Sequence, residues 1–126
     1  MDSRIHITLP QKNAVAGKVL LHCSTLINNV LGCKEPTAFK IGITKCPVHR
    51  FYHARYGYAD FYDSMLALYA TSQAIVSGFV EAHLISVFKS RVGCHNDAPG
   101  GEGIGGSQPG PFFVYCVFKQ CGPWRE

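Results

Sequence analysis

The sequence predicts a small α/β (α+β) fold: a mainly antiparallel central sheet of three to four strands flanked by helices. Three observations lead there. Apolar runs of strand length recur at residues 18–23, 38–43, 61–70 and 112–118. Residues 75–89 instead space their apolar side chains by three and four, the helical period. Helical patterns also fall between strand patterns, the order expected when helices pack on a sheet. At 126 residues the chain reads as one domain, 1–126, with a core of about 18–118 and a tail of 119–126.

The first element is KVLLHC, Lys18 through Cys23, an apolar run read as a strand. Asn28-Asn29, Gly32 and Pro36 mark the connection that follows, and 38–43 is the second strand, paired with the first as a long-looped hairpin. Pro47 suits a first helical turn, Thr44 or Cys46 is the candidate cap, and Val48, Phe51, Tyr52 and Arg55 keep helical spacing up to a stop at Gly57. The run FYDSMLALYA at 61–70 carries apolar residues on both alternating sets, as a doubly buried strand does. Thr71 or Ser72 can cap the next helix, whose apolar positions are Ile75, Phe79, Ala82, Ile85 and Phe88. Residues 93–111 are rich in Gly and Pro and read as a loop, 112–118 closes the sheet, and Trp124 is the candidate anchor of the tail.

Composition excludes several classes. With 47% apolar and 16% charged residues, the chain lies outside the disordered regime. The start, 1–10, is polar and mixed, so a secretory leader is not expected and an intracellular, non-secreted protein is. The least charged stretch, 65–88, is interrupted by Gln73, Gly78, Glu81 and His83 and reads as strand plus buried helix, not as a membrane span. A net charge of +4 permits a polyanionic partner without requiring one. The six cysteines include several among apolar neighbours, Cys116 in FFVYCVF for one, so buried free thiols are expected in preference to disulfides. Zinc is the rival reading, from Cys94-His95 and the Cys116 and Cys121 pair, but no CxxC occurs.

Two familiar motifs fail on context. The glycines of 100–106 imitate a phosphate loop but follow no strand and open no helix. Cys46 precedes a predicted helix carrying His49 and His53, which offers a thiol with nearby imidazoles and no further support for a thiol hydrolase. A third constellation carries more: Lys40, Gly42, Arg50, Glu81 and Asn96. Phosphodiester hydrolysis needs charge stabilisation at the phosphate, a base for water and, commonly, a divalent ion on a carboxylate. These residue types can supply all three.

At these positions the chain resembles the GIY-YIG nuclease superfamily. FKIG, Phe39 through Gly42, is similar to the family's second motif, and Thr44, Pro47 and Arg50 follow at the matching offsets. Glu81, in VEAHLI, resembles the metal-binding glutamate of the family's long helix. Asn96, followed by Pro99-Gly100-Gly101-Glu102, resembles the asparagine and glycine-rich turn behind it. The resemblance spans about 18–118. It implies an endonuclease that cuts DNA phosphodiester bonds with one Mg²⁺ or Mn²⁺ on Glu81, and Arg50 at the phosphate.

The resemblance also exposes two departures. The strand matched to the first motif, 18–22, has no tyrosine, and Lys40 stands where the second motif has one. Both phenols expected near Arg50 are therefore absent from those strands. The base falls to Lys40, to His49 beside Arg50 or to His22 at the end of the first strand, with Tyr52, Tyr56 and Tyr58 as more distant options. Gly42 is expected to admit a phosphate to the backbone, while Lys45 and Arg55, with Lys34, extend a DNA-facing basic surface. The alternative is a catalytically inactive domain of this fold that binds nucleic acid or protein. Recognition of a long target would require a homodimer or another partner.

Overall fold

Residues 18–23 form a helix, not a strand. In the computed structural model, which describes residues 4–32, 38–96 and 109–119, they belong to α1, Ala16–Leu31. The reason lies in the longer pattern. Val19, Cys23, Ile27 and Val30, spaced by four, four and three, make the buried stripe of α1. A six-residue window holds too few periods to separate this spacing from a continuous apolar strand. Asn28 and Asn29, read as turn formers, lie on the exposed side of α1.

The first strand is instead β1, Ile5–Ile7, within the segment that looks polar and mixed. Then come β2 (Ala38–Thr44), α2 (Pro47–Tyr52), α3 (Tyr58–Phe61), β3 (Ser64–Thr71), α4 (Ala74–Phe88) and β4 (Phe112–Lys119). Gly57, between the two short helices, has φ of 70°, where a side chain would be strained.

The four strands lie in the order β1-β3-β4-β2, mostly antiparallel, with a parallel β1–β3 pair. The expected hairpin between the first two strands is therefore replaced. β2 pairs with β4, from the other end of the described chain, with Gly42 opposite Tyr115 and Lys40 opposite Val117.

Alternation along β4 separates two cores. Phe112, Val114, Cys116 and Phe118 join Phe39, Ile41 and Ile43 of β2 under α1 and α4. Tyr115 and Val117 point to the other face, where Phe51 of α2, Tyr62 and Met65 meet them. Arg4 fastens that second layer, donating to the carbonyls of Asp63, Ala59 and Tyr62 at 2.8–2.9 Å. It thereby fixes the end of α3 through its last carbonyls, which have no partner within the helix.

Cys23, Cys46, Cys94 and Cys116 are free thiols, while Cys33 and Cys121 lie outside the described residues. Burial pushes the Cys23 thiol up to about 12 and raises that of Cys116, so both stay protonated and inert. Among the described residues no helix is long and apolar enough to cross a membrane.

Candidate active site at the β2–β4 pair

The site is built on one close approach. Gly42 lies directly opposite Tyr115, and the phenol ring occupies the space a side chain at position 42 would fill. A Cβ added there would stand 2.6 Å from Tyr115 Cζ. Residue 42 is therefore glycine to admit a ring from the adjacent strand. This corrects the expectation that Gly42 exposes backbone to a phosphate.

The seated phenol holds Arg50. The guanidinium donates from Nη1 to Tyr115 Oη at 3.1 Å and to the Ile43 carbonyl at 3.4 Å. Its Cζ lies 4.4 Å from the centre of the Tyr56 ring, a cation–π contact. The Nε is buried without a hydrogen-bond partner. Burial alone would lower the Arg50 pKa, but Tyr115, with Tyr56 and Tyr58, raises it overall, so the group remains cationic. Tyr115 in turn touches Tyr58, the two phenolic oxygens 3.2 Å apart. Burial, reinforced by Tyr58 and opposed by Arg50, raises the Tyr115 pKa and keeps its phenol neutral near pH 7. Lys40 completes the group, with its Nζ 5.8 Å from the Tyr58 ring centre.

No protein-family model, curated protein or solved structure matches this chain. The roles of its residues must be argued from their own surroundings.

Of the residues singled out in the sequence, Lys40, Gly42 and Arg50 meet on the α2–α3 face. His49 is exposed on α2, its ring 4.7 Å from His53 and 6.2 Å from Tyr56. Lys45 is exposed in the turn before α2. Arg55 is also exposed, with Cζ 5.7 Å from the Tyr56 ring. Both stand at the rim.

His22 is displaced from the expected place. It lies on α1, against the other face of the sheet, and donates from Nε2 to the Thr8 carbonyl at 2.7 Å. Its candidacy as base rested on residues 18–22 being the neighbouring strand, and they are not.

Asn96 is a strand partner. Its Oδ1 accepts from the Ile41 N–H at 2.9 Å and its Nδ2 donates to the Ile41 carbonyl at 2.8 Å, so one amide satisfies both outward groups of an edge residue. Backbone bonds to Phe39 from Gly93 and His95 continue that cover along β2. Asn96→Asp is expected to destabilise the fold by about 1–3 kcal/mol, at least as much as Asn96→Ala, because it sets a carboxylate oxygen against the Ile41 carbonyl. Urea midpoints of the two variants check this.

Glu81 rides on α4, which packs on the opposite face from α2. Beyond Asn96 the outer edge of β2 leads to the Ile43 carbonyl that Arg50 grips. The carboxylate and the guanidinium thus belong to helices on opposite faces of the sheet. Among the described residues no group of three or more His, Cys, Asp or Glu is placed to hold a metal.

The residues missed were the aromatic ones. By local pattern Tyr115 is only part of a strand, and Tyr58 only a distant option. A signal existed: in FFVYCVF a buried tyrosine must find a partner for its hydroxyl. The partner, Arg50, is 65 residues away in sequence.

Proposed function

We propose that this protein is an endonuclease that hydrolyses DNA phosphodiester bonds at the Arg50 face. The observation that carries the reading is the Arg50–Tyr115–Tyr58 chain seated over Gly42. The resemblance expects a phenol on the first strand, matched to 18–22, which is helical here; the phenol beside FKIGIT is instead Tyr115 of β4. Lys40 remains in place of the second tyrosine, with the Tyr58 phenol beside it.

Arg50 is a pre-positioned cation for the charge that develops on a phosphate under attack. Its partners are fixed before substrate arrives, so little reorganisation is needed. Tyr115, buried and neutral, holds the guanidinium in place. Tyr58, less buried, is the phenol that meets solvent and orients the attacking water, and Lys40 beside it adds a second positive charge. Glu81, on the opposite face of the sheet, is given no part in this chemistry. DNA is the favoured substrate because Lys45, His49, His53 and Arg55 surround the site, an arrangement suited to a phosphate backbone.

The test is incubation of supercoiled plasmid and of single-stranded DNA with the purified protein in Mg²⁺, in Mn²⁺ and in chelator. Nicking that is lost in Arg50→Ala and strongly reduced in Tyr115→Phe supports the reading. Absence of cutting by folded protein in every condition overturns it. Salt-dependent DNA binding without cutting would assign the same face to an inactive, nucleic-acid-binding domain.

A further inference from the structure

From the Arg50 site toward the far end of the β2–β4 pair, cations and aromatic rings alternate. Residues 115, 117 and 119 of β4 share the α2–α3 face, opposite Gly42, Lys40 and Ala38. Arg50 stands at the Gly42–Tyr115 rung, Lys40 belongs to the next, and Lys119 to the one after. Each cation has an aromatic companion: Arg50 over Tyr56 at 4.4 Å, Lys40 by Tyr58 at 5.8 Å, and Lys119 by Phe61 at 5.5 Å. His95 adds to the last group, its ring 5.6 Å from Phe61 and its Nδ1 2.7 Å from Tyr62 Oη. Phe61 is 46% exposed at the end of a short helix, although neighbouring Tyr62 is buried. Phe61 belongs to neither of the two cores among the described residues.

We infer that the site takes single-stranded DNA in preference to duplex, with the strand laid along this track and a base stacked on Phe61. The inference rests on the proposed nucleic-acid reading of the Arg50 face and deepens it. Two residues of strand advance about 7 Å, so successive cations are stepped on the scale of successive phosphates in an extended chain. The exposed ring of Phe61, with the half-buried Tyr56 and Tyr58 beside the other cations, offers a stacking surface, which a single strand can use because its bases are unpaired and a duplex cannot because its bases face inward. The track suits a few nucleotides, with Arg50 at one end and the Phe61–His95–Lys119 group at the other.

The test measures binding of fluorescently labelled oligo-dT and of a duplex of equal length, over a salt series in chelator, to the parent, Phe61→Ala, Phe61→Trp, Lys119→Ala and Arg50→Ala. The parent is expected to bind the single strand at least tenfold more tightly than the duplex. Phe61→Ala is expected to lose about tenfold on the single strand, the scale of one stacked base, and almost nothing on the duplex, while Phe61→Trp retains binding. Lys119→Ala is expected to reduce the single-strand salt slope by about 0.7, one phosphate contact. Equal affinity for the two DNAs, or no effect of Phe61→Ala, overturns the track. If Arg50→Ala still weakens binding in that case, the reading of the Arg50 face survives without it. Failure of the parent to bind either DNA overturns both.

Discussion

Arg50→Ala is expected to lower the rate of plasmid nicking by about 10²–10³-fold, the scale for loss of one pre-positioned donor to a developing negative charge. Arg50→Lys should fall nearly as far. The guanidinium reaches Tyr115 Oη and the Ile43 carbonyl from one nitrogen while lying against Tyr56, and a lysine ammonium cannot reproduce that planar stacking. Stability should move much less, since Arg50 is half-buried with Nε already unsatisfied. Nicking rates of the three proteins, read beside their urea midpoints, separate the two effects. A rate within threefold of the parent in Arg50→Ala would place the chemistry elsewhere.

Gly42→Ala is the second large effect, and it acts through a neighbour. The added methyl would meet the Tyr115 ring, with Cζ 2.6 Å from the new Cβ. The ring is at the end of a side chain that is 1% exposed and packed in the second core, so it has little room to yield. A cost of about 1–3 kcal/mol is expected from overpacking, together with a loss of cleavage comparable to that of Tyr115→Phe, because the displaced phenol releases Arg50. A double-mutant cycle makes the argument specific. In a Tyr115→Ala background the same Gly42→Ala change should cost far less, and additivity of the two would show that the ring is not what the glycine accommodates.

What the sequence disclosed follows the length of each pattern. β2, β3, α4 and β4 carry enough apolar positions to declare their period, and each was found within a few residues. α1 is hidden in the short window because Val19, Leu20, Leu21 and Cys23 of KVLLHC fit a strand as well, and its helical stripe emerges only when Ile27 and Val30 are included. β1 was missed because three residues hold little more than one alternation. The site divided along the same line. Arg50 and Gly42 belong to one continuous motif and were legible in it. Tyr115 could be placed only by knowing which strand lies beside β2, a long-range pairing that no local pattern encodes. His22 failed for the converse reason, its candidacy depending on a strand that proved to be a helix.

The middle position of β4 bears on how the chain folds. Its neighbours are β3 on one side and β2 on the other, so before residues 112–119 leave the ribosome the sheet exists only as a β1–β3 pair and an unpaired β2. A chain shortened before Phe112 would leave the inner edges of β2 and β3 bare, and it would expose Phe39, Ile41 and Leu68, buried in the core β4 completes. Folding of this sheet therefore waits for β4, the last of the described strands, and is governed by sequence-distant pairings that are slow to form. Arg50 acquires its phenol only in that last step, so the site is assembled when the fold is finished and not before.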